Sequence, residues 1–334
     1  MVLIGCKIYP SDSAQQMQWT DTGLQNIPAR PVNQTTSVDV FANALFWRTT
    51  EDIDWALVLV PKGNAETINF KTISFDWSPG FRVGVGYSME HDQWDTQFTY
   101  TWFHTQTTDH IDSGSGEVSS VFAGTKVSLI TLIEYYDTGK ISWKLNFNML
   151  DWDLGRCFYV SDSLAFRPSI GVKGGWINQT IHTEWETFDF LDLGFDLASN
   201  ENLKNDFSGV GPKGAVNGKW ILGNICNHCF SVFGDFAAAY MWGHWKFRDK
   251  FHDNLATTVT AMQGNRNFGS MMLQGMVGIG WDFSFFNDPS HFAMKLGYEI
   301  QDWFNQYQQF DNSSGLHNND LILQGLTLDL RFDY

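Results

Sequence analysis

Charged side chains recur at alternate positions of stretches that are otherwise apolar, and fixed charges so placed can order water and filter ions. The basic members are Arg82, Lys144, Arg167, Lys173, Lys213 and Lys219; the acidic members are Asp235, Asp282, Glu299, Asp329 and Asp333. Lys144, Arg167, Lys173, Lys213 and Lys219 fall on three consecutive stretches, and the acids come from the next four. If these stretches line one lumen, a basic wall faces an acidic wall, and the transverse field selects small solutes. The alternative is that the charges pair and fill a narrow interior, because a barrel of about eight strands is just filled by side chains.

Other reactive residue types are sparse. Asp109-His110, and His182 with Glu184, are candidate acid and base groups for a peptidase at an outer rim. Nothing in the sequence places them, or His104, beside a nucleophile, so surface histidines are the expectation and no enzyme activity is predicted. Cys226-Asn227-His228-Cys229 has the spacing of a redox or metal motif, yet it lacks a second ligand pair and a βαβ setting. No metal and no cofactor is expected.

The charges need strands to position them. Along the last stretch Leu326, Leu328, Leu330, Phe332 and Tyr334 alternate with Thr327, Asp329, Arg331 and Asp333, a period of two that only a two-faced β-strand uses. A greasy face opposite a charged one suits a transmembrane β-barrel, with hydrocarbon outside and a polar lumen inside. Similar alternation marks 38–48, 73–87, 94–102, 141–155, 164–176, 207–222, 230–242, 271–285 and 292–301. In 73–87 the apolar face runs Ile73, Phe75, Trp77, Phe81, Val83, Val85 and Tyr87; in 38–48, Leu45 and Trp47 break the pattern. The segment 141–155 starts with Ile141, Trp143, Leu145, Phe147 and Met149 outward, then changes parity to Leu150, Trp152 and Leu154, which predicts a β-bulge. Pro168 sits on an outer face, where a break in strand pairing is expected beside it.

These ten strands make an all-β, antiparallel, up-and-down barrel over residues 37–334. Twelve strands result if 116–136 adds a hairpin. The connections alternate short and long, so short turns and both termini fall on the periplasmic side, and 105–140, 181–202, 246–267 and 311–320 read as extracellular loops. Residues 1–36 read as a periplasmic tail or plug. Cys6, Cys157, Cys226 and Cys229 then all lie in the periplasm, where disulfides persist.

Composition agrees. The chain has 334 residues, of which 16% are aromatic, including 15 Trp and 28 Phe, more than one soluble core uses and suited to interfacial girdles. A mean hydropathy of −0.23 does not oppose a membrane location, because alternating strands hide their apolar face from an average. No apolar run approaches the roughly 18 residues of a transmembrane helix. The net charge of −16 argues against nucleic acid, whose phosphates need clustered Lys and Arg. The start, MVLIGCKIYP, lacks the basic and hydrophobic regions of a signal peptide, and Leu3-Ile4-Gly5-Cys6 resembles a lipoprotein box without its leader.

Several stretches resemble the Legionella-type major outer membrane protein family, which has members among amoeba-associated chlamydiae. They are Phe75-Asp76-Trp77-Ser78-Pro79-Gly80-Phe81-Arg82-Val83-Gly84, Trp94-Asp95, Tyr100-Thr101-Trp102-Phe103-His104, Leu150-Asp151-Trp152-Asp153-Leu154-Gly155-Arg156, Phe166-Arg167-Pro168 and Gly209-Val210-Gly211-Pro212-Lys213. The resemblance runs from about residue 38 to 334 and implies a pore-forming barrel integral to a bacterial outer membrane, passing ions and small hydrophilic solutes and serving as a structural surface protein. It also implies cysteine cross-links within the chain or to other envelope proteins, and delivery by the barrel-assembly machinery through the closing strand. A non-conducting structural or adhesive barrel acting through its loops is the alternative.

Overall fold

A computed structural model describes residues 37–333 apart from 52, 63–64, 90–93, 115, 123–134, 189–193, 195, 226–227, 255–259, 285–290 and 312–314. The tail 1–36, Cys6, Cys226 and Tyr334 lie outside the described residues. Ten antiparallel strands form the wall: β1 (Ser37–Glu51), β4 (Ser78–Ser88), β5 (Trp94–Asp112), β7 (Thr138–Arg156), β9 (Leu164–Thr187), β10 (Leu197–Ile225), β11 (His228–Asp253), β12 (Thr260–Ser284), β13 (His291–Asp311) and β14 (Gly315–Asp333). Each pairs with the next in chain order, and β14 pairs with β1 from Asp39↔Asp333 to Glu51↔Leu321, so the sheet closes and leaves no edge. A small sheet, β2 (Asp54–Lys62), β3 (Ala65–Thr72) and β6 (Glu117–Ser120), comes from two of the connections. A two-residue strand β8 (Phe158–Tyr159) pairs with β9. Pairing of β9 passes from β7 at Ser169 to β8 at Phe166, so Pro168 does sit at a break.

Every wall strand except β4, which has 11 residues, is longer than the about 9–11 residues that cross a bilayer; β10 has 29 residues and β11 has 26. Much of 181–202 and 246–267, read from sequence as loop, is therefore wall. These extensions keep the parity of the strand below but exchange the faces. On β9 the outward residues Phe166, Ile170, Val172 and Trp176 give way to Asn178, Thr180, His182 and Glu184, while the inward set passes from Arg167, Ser169 and Lys173 to Ile177, Ile181 and Trp185. The lower part is a membrane barrel, the upper part a water-soluble one, on one uninterrupted ladder.

The same reversal corrects two readings. The β5–β7 and β7–β9 ladders run without a register shift, so there is no bulge at Met149 and Leu150. Ile141, Trp143, Leu145, Phe147 and Met149 are buried inside the barrel, whereas Leu150 and Trp152 face lipid. Lys144, expected to line the pore, is exposed on the outer face for the same reason. Leu45 and Trp47 likewise are interior residues, and Ile73 and Phe75 belong to a buried connection rather than to a lipid-facing strand.

Two apolar clusters lie in the upper interior, with buried polar side chains, among them Thr49, Glu51, Gln179, Glu201, Asn205 and Asp249, between and beside them. The lower layer includes Leu45, Trp47, Phe103, Leu145, Phe147, Ile177, Phe207, Met241, Trp245, Met272, Trp303 and Leu323, and every wall strand except β4 contributes to it. On β4, Gly80 stands where a Cβ would meet Trp102 O at 2.8 Å and the Phe103 ring at 3.0 Å, so the Phe103 ring covers that sector. The upper layer joins Ile53, Trp55, Ile73, Phe75, Val118 and Phe122 of the connections to Ile111, Trp143, Ile181, Trp185 and Leu203 of the wall. Its rings interlock edge to face and stacked, Phe75 on Trp143 at 5.6 Å and Tyr136 on Trp185 at 5.5 Å. Burial here pushes the Tyr136 phenol up to about 12.

Adjacent residues of β7 test the reversal. Leu145→Asp is expected to cost about 3 kcal/mol or more by burying a charge in an apolar layer, and Lys144→Asp less than about 0.5 kcal/mol. Urea unfolding in detergent measures both; equal effects would contradict the assignment of faces.

Candidate functional site

Beneath the lower apolar layer the interior turns polar, within the part of the barrel whose outer face is greasy. Glu299 on β13 is fully buried and gathers most of the donors at this level. Arg82 of β4 donates to both its oxygens, at 2.8 and 3.2 Å, and Gln274, Gln301 and Thr327 donate at 2.9, 2.9 and 2.8 Å. A carboxylate that accepts a bidentate guanidinium and three neutral donors has its lone pairs satisfied, which is the condition for burying an ion pair. The guanidinium carbon lies 5.6 Å from the Trp47 ring centroid and Lys173 Nζ 5.8 Å from that of Trp303, so the cations stack against the underside of the apolar layer.

Below this waist lies a cavity of about 210 Å³ lined by Arg82, Asp151, Lys173, Lys213, Asp235 and Asp329, among others. Its charges are mostly paired. Lys173 Nζ is 2.8 Å from Asp151; Lys213 Nζ is 3.0 Å from Asp151 and 2.8 Å from Asp153. Arg167 pairs with Asp95. Toward the periplasmic end Lys219 meets Asp282 at 2.6 Å, Arg331 meets Asp39 at 3.6 Å, and His291 Nδ1 lies 3.1 Å from Asp333.

Arg82, Arg167, Lys173, Lys213 and Lys219 therefore face the interior together with Asp235, Asp282, Glu299, Asp329 and Asp333, and Lys144 does not. The charges do not sort into two opposed walls. Asp95, Asp151 and Asp153, from β5 and β7, sit among the cations of β9 and β10 and neutralise them in place. Sequence reasoning passed over these three as site residues, although the outward Leu150, Trp152 and Leu154 already imply inward Asp151 and Asp153.

The remaining candidates are dispersed. Leu326, Leu330 and Phe332 of the closing strand are exposed outward, with Leu328 half-exposed beside them, as alternation requires. Cys157 follows β7 and Cys229 is the second residue of β11; both are half-buried, and no disulfide forms among the described residues. Asp109 pairs with Lys71 at 3.3 Å on the upper wall. His182 lies on the outer face of β9, its Nδ1 2.9 Å from Asn202 Oδ1 and its Nε2 3.2 Å from Glu184. His104 contacts Asn146 in the same cross-strand way, at 2.7 Å.

A family described as the Legionella pneumophila major outer membrane protein precursor matches residues 29–334. No curated protein sequence matches the chain. Among solved structures it is similar to the outer membrane protease OmpT from Escherichia coli (7% identity, 89% of this chain and 96% of that one, TM-score 0.35). It is similar also to a Pseudomonas aeruginosa FadL homologue (6%, 90% and 90%, 0.28) and to the P. putida toluene transporter TodX (8%, 90% and 90%, 0.27).

The waist yields a double-mutant prediction. Glu299→Gln strands a buried guanidinium and is expected to lower stability by about 3–5 kcal/mol, while Arg82→Met with Glu299→Leu costs markedly less than the single change. The urea midpoint in detergent reads both, and a harmless Glu299→Gln would show that the pair is solvated.

Proposed function

The chain belongs to the family of the Legionella pneumophila major outer membrane protein and is integral to the outer membrane; from that premise we propose a surface barrel whose path for small polar solutes is closed at rest. The observation that carries this reading is the pair of apolar layers across the interior. Ions do not cross a dry aromatic layer, because the desolvation cost of an unpaired charge is several kcal/mol or more. The charged chamber beneath is a vestibule, and its paired Lys and Asp side chains offer water and small hydrophilic solutes polar contacts on both signs.

Opening requires the upper layer to leave and the wall-borne side chains of the lower layer, Trp47 and Trp303 among them, to turn aside. The removable part of the upper layer is the small sheet β2, β3 and β6 with the flanking Ile53, Ile73 and Phe75, all carried on connections rather than on the wall. The upper barrel and its loops act meanwhile as a structural surface element. Cross-linking of the envelope through Cys6, Cys157, Cys226 and Cys229, and handling of the closing strand by the assembly machinery, belong to the same proposal. It includes no catalytic step: Asp109 is committed to Lys71, and His182 to Asn202 and Glu184 on the outer wall.

Planar-bilayer recording tests the reading. The unaltered protein is expected to show rare, brief openings. A variant with 54–72 replaced by a short Gly-Ser linker and with Trp47→Ala and Trp303→Ala is expected to conduct steadily. Heat-modifiable gel migration establishes that each preparation is folded. Steady conductance by the unaltered chain would make it an open porin, and a folded but silent variant would leave only the structural role.

A further inference from the structure

The outer face of the upper wall carries a feature that neither the lumen nor the loops explain. Above the lipid-facing Leu150, Trp176, Val210 and Trp242, the outward residues of β7, β10 and β11 include Lys144, Lys204, Lys246, Arg248 and Lys250, all exposed. Strand register sets them side by side. Lys144 pairs with Thr180, Thr180 with Lys204, and Lys204 with Arg248, which puts three cations in one row across four strands. At about 4.8 Å per strand, Lys204 and Arg248 are direct neighbours and Lys144 stands roughly 10 Å away. Lys246 and Lys250 flank Arg248 on the same face of β11.

In a chain of net charge −16 this concentration is out of place. Arg248 reaches Asp206 at 3.0 Å, the one carboxylate within the patch. Lys144, Lys204, Lys246 and Lys250 have no ion-pair partner among the described residues, and Lys140 and Glu184, 4.0 Å apart, mark its upper border. Like charges directly opposite on neighbouring strands repel and weaken the pair, so an anion from outside would relieve the row. Beside the cations stand Asn178 on β9 and, directly opposite Arg248 and Lys246, Gln263 and Asn265 on β12, which offer neutral donors and acceptors of the kind that hydrogen-bond sugars.

Height selects the anion. Lys246 lies four positions beyond Trp242 and Lys204 six beyond Val210. At about 3.3 Å per residue and a strand tilt of about 40°, the patch begins roughly 10–15 Å above the apolar band. Lysine stems reach toward the headgroups from there. We infer that this face binds the phosphorylated saccharide head of the outer-leaflet glycolipid, lipopolysaccharide, with Lys204, Lys246, Arg248 and Lys250 on the phosphates, Lys144 at the flank and the amides on the sugars. The patch anchors the projecting upper barrel in the sugar layer, and screening by salt should weaken it.

Binding of lipopolysaccharide to the unaltered, detergent-solubilised protein, followed by native mass spectrometry and thermal shift, tests this. Phosphatase-treated lipopolysaccharide is expected to bind about tenfold more weakly or less, since charge-assisted hydrogen bonds are lost. The variant K204Q/K246Q/K250Q should lose a similar factor for the intact lipid and no longer distinguish the two. Intact and dephosphorylated lipid binding the unaltered protein equally would overturn the inference, without reliance on any variant. So would unchanged affinity in the triple variant, or displacement of the lipid by inorganic phosphate at equal concentration, which would assign the patch to free anions.

Discussion

A strand that runs out of a bilayer keeps its hydrogen-bond ladder and its side-chain parity but must exchange the chemistry of its two faces. In hydrocarbon every backbone group has to be satisfied within the sheet, so a bulge that would swap the faces is costly there. The chain instead changes residue type at fixed parity. Phe46 is outward and Trp47 inward, Trp102 outward and Phe103 inward, Trp176 outward and Ile177 inward. At that height both faces are apolar, because the lipid face is ending as the soluble core begins. The lower aromatic layer follows from this overlap, and it crosses the whole barrel because the strands change over at closely matched levels.

Everything beneath the layer is governed by its dryness. Cations abutting it cannot be left to water, so Arg82 and Lys173 take both a ring from above and carboxylates from the side. Farther down, where solvent enters, pairs such as Lys219 with Asp282 and Arg331 with Asp39 are looser in composition and partly exposed. The interior thus grades from an apolar layer, through a buried waist of paired charges, to more exposed ion pairs at the periplasmic end, and these pairs serve packing and solvation.

Much of this was legible in the amino-acid order. All ten wall strands and the outward faces of their lower halves follow from alternation, since Ile170, Val172, Val210, Leu326 and Leu330 have no other use for so regular a period. The upper halves misled because the same period persists with opposite meaning. Met149 and Leu150 looked like a parity error in one environment, when they are correct residues for two. Lys144 was assigned to the lumen by that error. Pairing of Arg82 with Glu299 joins strands far apart in sequence across the β1–β14 closure, and that of Lys213 with Asp151 and Asp153 skips over the intervening β9, relations that alternation along one strand does not describe.

The aromatic content, too, divides between two tasks: Trp94, Trp152, Trp220 and Trp242 face the bilayer, while Trp47, Trp55, Trp143, Trp185, Trp245 and Trp303 are buried inside. The connection that carries part of the upper layer meets the wall at a break in the ladder. β4 stops at Ser78, opposite Trp47, while β1 and β5 continue upward on either side of it. Residues 73–77 bridge that gap by side chains alone: Arg48 Nε donates to Phe75 O at 3.1 Å, Thr107 Oγ1 to Ser74 O at 2.9 Å, and the Ser78 and Thr105 hydroxyls meet at 2.8 Å. Three such bonds, each worth about 1 kcal/mol net, replace a cooperative ladder. The segment that carries Ile73 and Phe75 into the apolar layer is thus held by side-chain bonds across the gap that β4 leaves between β1 and β5, where no strand ladder could hold it.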